Sequence, residues 1–341
     1  MSSIGDQLTP EFLAQSSRRA ARVVATARLA AVNSAFERFE TGGSDALHDL
    51  RVSLRRLRSW LRGYRPELDD TLRARTRRRL RKIVHSTNAA RDAEVWATWI
   101  GGQTDVPVKA RAGHRYIAAR LADERDRATG DASDRLRRSL PRVLNALANE
   151  LSGYWLRMSI DEPMVREDNM SEATAELLRS LMRKLRRRLS RIEGAADIDE
   201  MHAARIAAKA LRYLLDAIPD HPEAVTTAAQ LSELQDTLGL VHDLAPLADR
   251  MLDEIASIAA ADAHRAGARA LGQFGDDAET VAPPGVKAGL LDLATRAQHQ
   301  GEAAFQQFQQ TWTDARLNVV TAVVTELADV IQRSVEQRNP L

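Results

Sequence analysis

Four cationic side chains recur at fixed intervals in HDLRVSLRRLRS: His48, Arg51, Arg55 and Arg58. The same spacing returns in HAARIAAKALRY as His202, Arg205, Lys209 and Arg212, 154 residues further on. On an α-helix, positions 0, +3, +7 and +10 fall within about 80° of one face. Each segment therefore carries a cationic stripe. In the first, Leu50, Leu54, Leu57 and Leu61 take another face. The chemistry of such a stripe is anion binding. The planar fork of Arg matches the paired oxygens of a phosphate, and His adds charge when an anion raises its pKa. A solvated helix usually mixes signs to gain i,i+4 pairs. This stripe holds no acid, and Arg55, Arg56, Arg58 and Arg62 repel one another unless a ligand supplies counter-charge. One stripe alone reads as well as a solvated face; two in register point to a site.

A second pair of segments follows in the same order. NAARDAEV (Asn88–Val95) matches GLVHDLAP (Gly239–Pro246), with Arg91-Asp92 opposite His242-Asp243. Matched segments in a matched order are an internal repeat. Asp92 and Asp243 read either as general bases or as acids that hold a helix end or a stripe Arg. The structural reading is preferred, because no nucleophile and no Gly-rich phosphate loop accompanies them. His48 and His202 have Arg at i+3, where a metal site would want a ligand. No catalytic residue, metal or cofactor is therefore expected. His85 reads as a packing or capping residue, and His242 as a lesser candidate for ligand contact.

Helices must position these residues. Aromatics are only 4% of 341 residues, and Ala, Leu and Arg abound, which favours helix over strand. A long helix is expected from Pro10, with Thr9 as cap, until Thr41-Gly42-Gly43 stops it. Ser44 or Asp45 caps the first motif helix, which ends near Gly63. Pro66 opens an Arg-rich helix to about Ile100, and two more helices cover 109–128 and 132–157. The polar stretch 159–169 breaks the pattern. Helices resume over 171–192, 197–218, 223–255, 256–272 and 287–335. The fold class is all-α. Residues 10–158 and 170–335 are expected as two helical bundles related by approximate internal symmetry, with 159–169 as linker. Trp60, Trp96, Trp99, Trp155 and Trp312 sit among apolar residues at helical spacing and are expected in the core. That argues against single-stranded nucleic acid, which wants exposed aromatics between its cations.

The net charge of +2 hides an asymmetry. Residues 1–150 hold 29 Lys and Arg against 18 Asp and Glu, and the rest of the chain holds 20 against 29. Arg51–Lys82 alone carries 13 basic and 3 acidic residues. Such clustering suits a nucleic acid, an anionic membrane or a phosphate polymer. The acids of 244–281 (Asp249, Asp253, Glu254, Asp262, Asp276, Asp277 and Glu279) are read as an outer face that repels anions. With no Cys, disulfides, thiolate zinc sites and thiol nucleophiles are excluded. The composition fits the cytoplasm: the N-terminus has no basic-then-apolar signal, and no apolar run nears the roughly 18 residues of a membrane span.

The doubled H-x-x-R-x-x-x-R/K-x-x-R, each copy followed by an Asp-containing segment, resembles the CHAD domain, the conserved histidine α-helical domain. The residues that carry it are HDLRVSLRRLRS, HAARIAAKALRY, NAARDAEV and LGLVHDLAPL, and the likeness spans about 10–335. The resemblance implies two four-helix bundles around a basic central pore or groove that binds inorganic polyphosphate, and an association with polyphosphate granules. Carried over by position, the ligand-facing residues are His48, Arg51, Arg55 and Arg58, and His202, Arg205, Lys209 and Arg212. A basic residue eleven before the Asp is Arg81 in the first copy; in the second it is Ser232, a departure that implies an asymmetric site. Arg78, Lys82, Arg183, Lys184 and Arg187 are further candidates. The E-x-E-x-K strand motif of the triphosphate-tunnel domain often fused to this family is absent, so the chain is read as a free-standing binder. A phosphate-polymer hydrolase or phosphotransferase, and a nucleic-acid binder, remain the alternatives.

Overall fold

The computed structural model describes residues 8–43, 45–158, 168–218, 220–271 and 283–336. Their regular structure is all helical, with no strand among the described residues beyond an isolated bridge between Ser16 and Asn169. The helices are α1 (Pro10–Leu13), α2 (Ser17–Thr41), α3 (Ala46–Gly63), α4 (Arg65–Leu68), α5 (Ala74–His85) and α6 (Asn88–Gly101). After a 3-10 turn at Val108–Ala110 come α7 (Arg111–Met158), α8 (Met170–Leu189), α9 (Ile198–Leu215), α10 (Pro222–Ala270), α11 (Val286–Thr311) and α12 (Asp314–Glu336).

Several boundaries differ from the sequence expectation, for physical reasons. Pro10 does open a helix, but α1 lasts one turn, and Ser16 then caps α2 by accepting from the Arg19 amide. The Arg-rich stretch expected as one helix to Ile100 is three, α4, α5 and α6. In the other direction, 109–128 and 132–157 merge into α7, and 223–255 and 256–272 into α10. Pro141 and Pro246 lie inside these long helices. An internal Pro removes one backbone hydrogen bond, a loss that packed neighbours can offset. Asp45 occupies the cap position of α3 without a side-chain cap bond, and Ser44 lies outside the described residues. So does the expected linker, except Asp168 and Asn169. Asn169 caps α8 in a reciprocal box with Glu172.

The described residues fall into two compact units. The first draws on Met1–Thr87, Asp131–Asp236 and Gln310–Leu341, the second on Asn88–Gly130 and Thr237–Gln309. The sequence halves 10–158 and 170–335 each contribute to both.

In the first unit α2 packs on α3, α8 on α9 and on α12, and α3 also meets α5 and α9. The apolar face of α3 is buried as its spacing requires: Leu50, Leu54, Leu57, Trp60 and Leu61. Trp60 donates to the Ala21 carbonyl at 2.9 Å, and buried Tyr64 shares a 2.8 Å hydrogen bond with Thr174 of α8. These polar tips are satisfied, so the rings can be buried whole.

The second unit has its own core, in which Ile117 and Leu121 of α7, Leu244, Leu247 and Met251 of α10 and Leu290 and Leu293 of α11 are buried together. At Gly113 and Gly289 the backbones of α7 and α11 touch; a Cβ at Gly113 would stand 2.6 Å from the Gly289 α-carbon. Trp60 and Trp312 are buried, and Trp96 and Trp99 are partly buried against the second core. The Trp155 side chain lies outside the described residues.

Candidate functional site

All fourteen candidate residues lie in the first unit. On α3, His48 is exposed, Arg55 and Arg58 are half-buried, and Arg51 is only 4% exposed. On α5, Arg78, Arg81 and Lys82 are exposed. On α9, His202, Arg205, Lys209 and Arg212 are all half-buried. On α8, Lys184 is half-buried and Arg183 and Arg187 are exposed. Packing of α3 against α5 and α9, and of α8 against α9, brings the four helices into one neighbourhood. The burial of Arg51 sets α3 apart from a solvated surface helix, since Arg is rarely so enclosed.

The two stripes are not electrostatically alike. Among the described residues no carboxylate lies within ion-pair distance of Arg55, Arg58, Arg81 or Lys82. Burial, and then the neighbouring charges of Arg62 and Arg81, push Arg58 below the usual arginine range. On α9, Arg212 instead donates to Asp216 at 3.1 Å and lies 3.4 Å from the Gln235 side-chain oxygen. Arg205 donates to the Gln235 carbonyl at 3.1 Å. Burial raises the Asp216 carboxyl above its usual range, against the pull of Arg212, Arg56 and Arg28.

The spacing explains the difference. Continuing the motif to position +14 keeps the side chain within the same arc, at about 320°. In the first copy that residue is Arg62; in the second it is Asp216, the C-cap of α9. Arg62 was legible as one more turn of the stripe. Lys184 lies close enough to Arg62 that burial, then Arg62, Arg188 and Arg187, lower its pKa. Arg183 is held by an acid of its own helix, Glu176, at 2.8 Å, and Arg188 by Glu200 at 3.1 Å.

Two buried arginines of α2 were not visible in the spacing. Arg28 of α2 is buried, stands 4.6 Å over the Trp60 ring and donates to the Arg56 carbonyl. Arg22 is fully enclosed and bonds Thr71 and Asp70, a structural anchor. Among the described residues no cluster of His, Asp and Glu could hold a metal ion.

The second matched segment pair lies in the second unit. Asp243 takes Arg91 in two hydrogen bonds and a third contact comes from His242. Asp243 is thus anchored by Arg91 of its own unit. Two acids of the run are engaged: Glu254 pairs with Arg120 and Arg250, and Asp262 with Arg265 and Lys287. Asp276, Asp277 and Glu279 lie outside the described residues.

A family model described as the CHAD domain matches residues 23–252. The crystal structure of the CHAD domain from the plant Ricinus communis is similar to this chain with a TM-score of 0.59 at 18% identity, over 91% of this chain and 92% of that one. No curated protein matches the chain. The doubled motif, its helical setting and the family match over most of the chain agree: the chain belongs to the CHAD domain family.

Proposed function

We propose that the chain binds inorganic polyphosphate without turning it over, through a basic groove lined by the α3 and α9 stripes. The two stripes would be related by approximate two-fold symmetry, following the internal repeat. The observation that carries this reading is the set Arg55, Arg58, Arg62 and Arg81, paired by no carboxylate among the described residues and held together by the packing of α3 and α5. Like charges kept close without counter-ions destabilise a fold until an anion arrives. A linear polyanion with closely spaced phosphates satisfies several at once. Arg58, crowded by Arg62 and Arg81, has most to gain. No described helix is long and apolar enough to cross a membrane, and a location at polyphosphate granules follows from the ligand.

The test is binding of long-chain polyphosphate across a salt series. Arg51 and Arg205 are poor choices for mutation, one being buried and the other tied to Gln235. Arg55→Ala, Arg58→Ala and Arg81→Ala combined should cost about 1,000-fold in affinity, at roughly tenfold per charged contact. Unchanged affinity in a folded triple variant would sink the reading. Release of free phosphate with Mg²⁺ would favour the hydrolase instead. Displacement by duplex DNA or RNA at equal phosphate concentration would favour the nucleic-acid binder.

A further inference from the structure

The end of the α3 stripe is where the two copies diverge. Arg62 lies in the arc of His48, Arg51, Arg55 and Arg58, whereas its counterpart Asp216 neutralises Arg212. Arg62 lines a cleft with Gly63 of α3, Leu177 and Leu181 of α8, and Ala210 and Tyr213 of α9. Contact here is close: a Cβ on Gly63 would lie 3.1 Å from Leu177 Cδ2. Leu177, Leu181 and Lys184 stand at i, i+4 and i+7, so they share one face of α8. Lys184 therefore continues along the same face of α8 as the residues that meet the end of α3. Among the described residues neither Arg62, Lys184 nor Arg187 has a carboxylate within ion-pair distance. Burial, and then the neighbouring charges of Arg62, Arg188 and Arg187, depress the pKa of Lys184.

We propose that Arg62, Lys184 and Arg187 form an additional phosphate subsite, which carries a bound chain past the α3 stripe onto α8, while Asp216 closes the matching end of the α9 stripe. The subsite rests on the polyphosphate reading and deepens it. The bound chain is held off-centre: its phosphates run beyond Arg58 and stop short of Asp216. Arg62 supplies two donors to one phosphate, and Lys184 adds a point charge from the next helix. The cost of crowding these cations falls on the empty protein and is relieved on binding.

The experiment titrates long-chain inorganic polyphosphate into the full chain and into Arg62→Gln, Lys184→Gln, Asp216→Asn and Arg138→Gln. Arg138 is exposed and near Asp134 in the same unit, so its substitution matches the charge change elsewhere. Arg62→Gln and Lys184→Gln should each weaken binding about tenfold. Each should also flatten the slope of log affinity against log salt by about 0.7–0.9, by analogy with phosphate contacts in nucleic acids. Arg138→Gln should change affinity less than twofold, and Asp216→Asn should strengthen it by opening the closed end. Without ligand, Arg62→Gln and Lys184→Gln should melt at or above the wild-type temperature, because each relieves repulsion; a merely structural role would lower it. Arg62→Gln and Lys184→Gln variants that bind like Arg138→Gln would overturn the subsite and leave polyphosphate binding intact. A wild type that binds no polyphosphate would overturn both.

Discussion

Arg91 of α6 holds Asp243 of α10 through both terminal nitrogens, at 2.7 and 2.5 Å, so that the two matched Asp-containing segments of the repeat meet each other. Burial works against the charge on Arg91, but the hydrogen bonds to Asp243 and Asp92 outweigh it and hold the guanidinium more firmly protonated. His242 Nδ1 lies 3.1 Å from the same carboxylate, and Trp96 donates to the Asp243 carbonyl at 3.0 Å. The Asp of the repeated segment is thus a structural anchor of the second unit.

Asp243→Asn should therefore destabilise the protein. The carboxylate is only 11% exposed and its partner 21%, so removing the charge leaves a partly enclosed guanidinium with one good acceptor fewer. The expected loss is about 1–3 kcal/mol, read from urea denaturation midpoints. Arg91→Ala should cost a similar amount, and the double variant less than the sum of the two, since the residues share one interaction. Polyphosphate affinity at fixed folded fraction should stay put. A large affinity loss in a fully folded Asp243→Asn variant would make this residue part of the ligand site.

Arg58 and Arg212 occupy equivalent positions in the repeat but not equivalent surroundings. Arg212 already has Asp216 as counter-charge, and Arg58 has cations around it. Arg58→Ala should weaken polyphosphate binding about tenfold while leaving the empty protein as stable or more so. Arg212→Ala should weaken binding less and lower stability, because it strips Asp216 of its nearest cation. Equal effects at the two positions in binding titrations would show the stripes to be interchangeable.

Residue spacing made part of this legible. The stripe, the opposite apolar face of α3 and the all-helical fold follow from a period of about 3.6 residues. The end of the stripe was legible too: one more turn reaches Arg62 in one copy and Asp216 in the other. Other features depend on contacts that spacing does not encode. The breaks expected between 128 and 132 and at 255–256 are absent, and α7 and α10 run through both places. The depth of Arg51 and the place of Arg28 over Trp60 are set by neighbouring helices, not by their own segments. The composition of the compact units, drawn from segments far apart in the chain, is likewise a matter of tertiary packing.

Gly113 and Gly289 make a second structural demand on the second unit. A Cβ at Gly113 would lie 2.4 Å from the Val286 carbonyl oxygen and 2.7 Å from the Leu290 nitrogen, both backbone atoms that cannot swing aside. Gly113→Ala should cost about 3 kcal/mol, the upper part of the range for overpacking, despite the better helix propensity of Ala. Gly301 lies in α11 as well, but a Cβ there meets nothing within 4 Å. Gly301→Ala should stabilise by up to about 1 kcal/mol. Thermal melts of the two single variants should therefore move in opposite directions, and a neutral Gly113→Ala would show that the α7–α11 crossing can open freely.

Glu67 of α4 gives the stability a pH dependence. One of its carboxyl oxygens is buried without a hydrogen-bond partner among the described residues. Burial raises its pKa above the ordinary 4.5; a backbone hydrogen bond lowers it, Asp168 raises it further and Arg18 opposes that. A carboxyl with a raised folded-state pKa holds its proton more tightly when folded than when unfolded. Its contribution is complete below the unfolded pKa and is lost as pH rises through the folded value. Ionised Glu67 thus weighs against the fold at neutral pH, where the protonated form would not. Glu67→Gln imitates the protonated carboxyl, so it should match wild-type stability near pH 4 and exceed it at pH 7 by about 1 kcal/mol. Urea midpoints measured across that interval decide the matter: a difference between variant and wild type that does not grow with pH would show that Glu67 ionises in the folded protein as readily as in the unfolded chain.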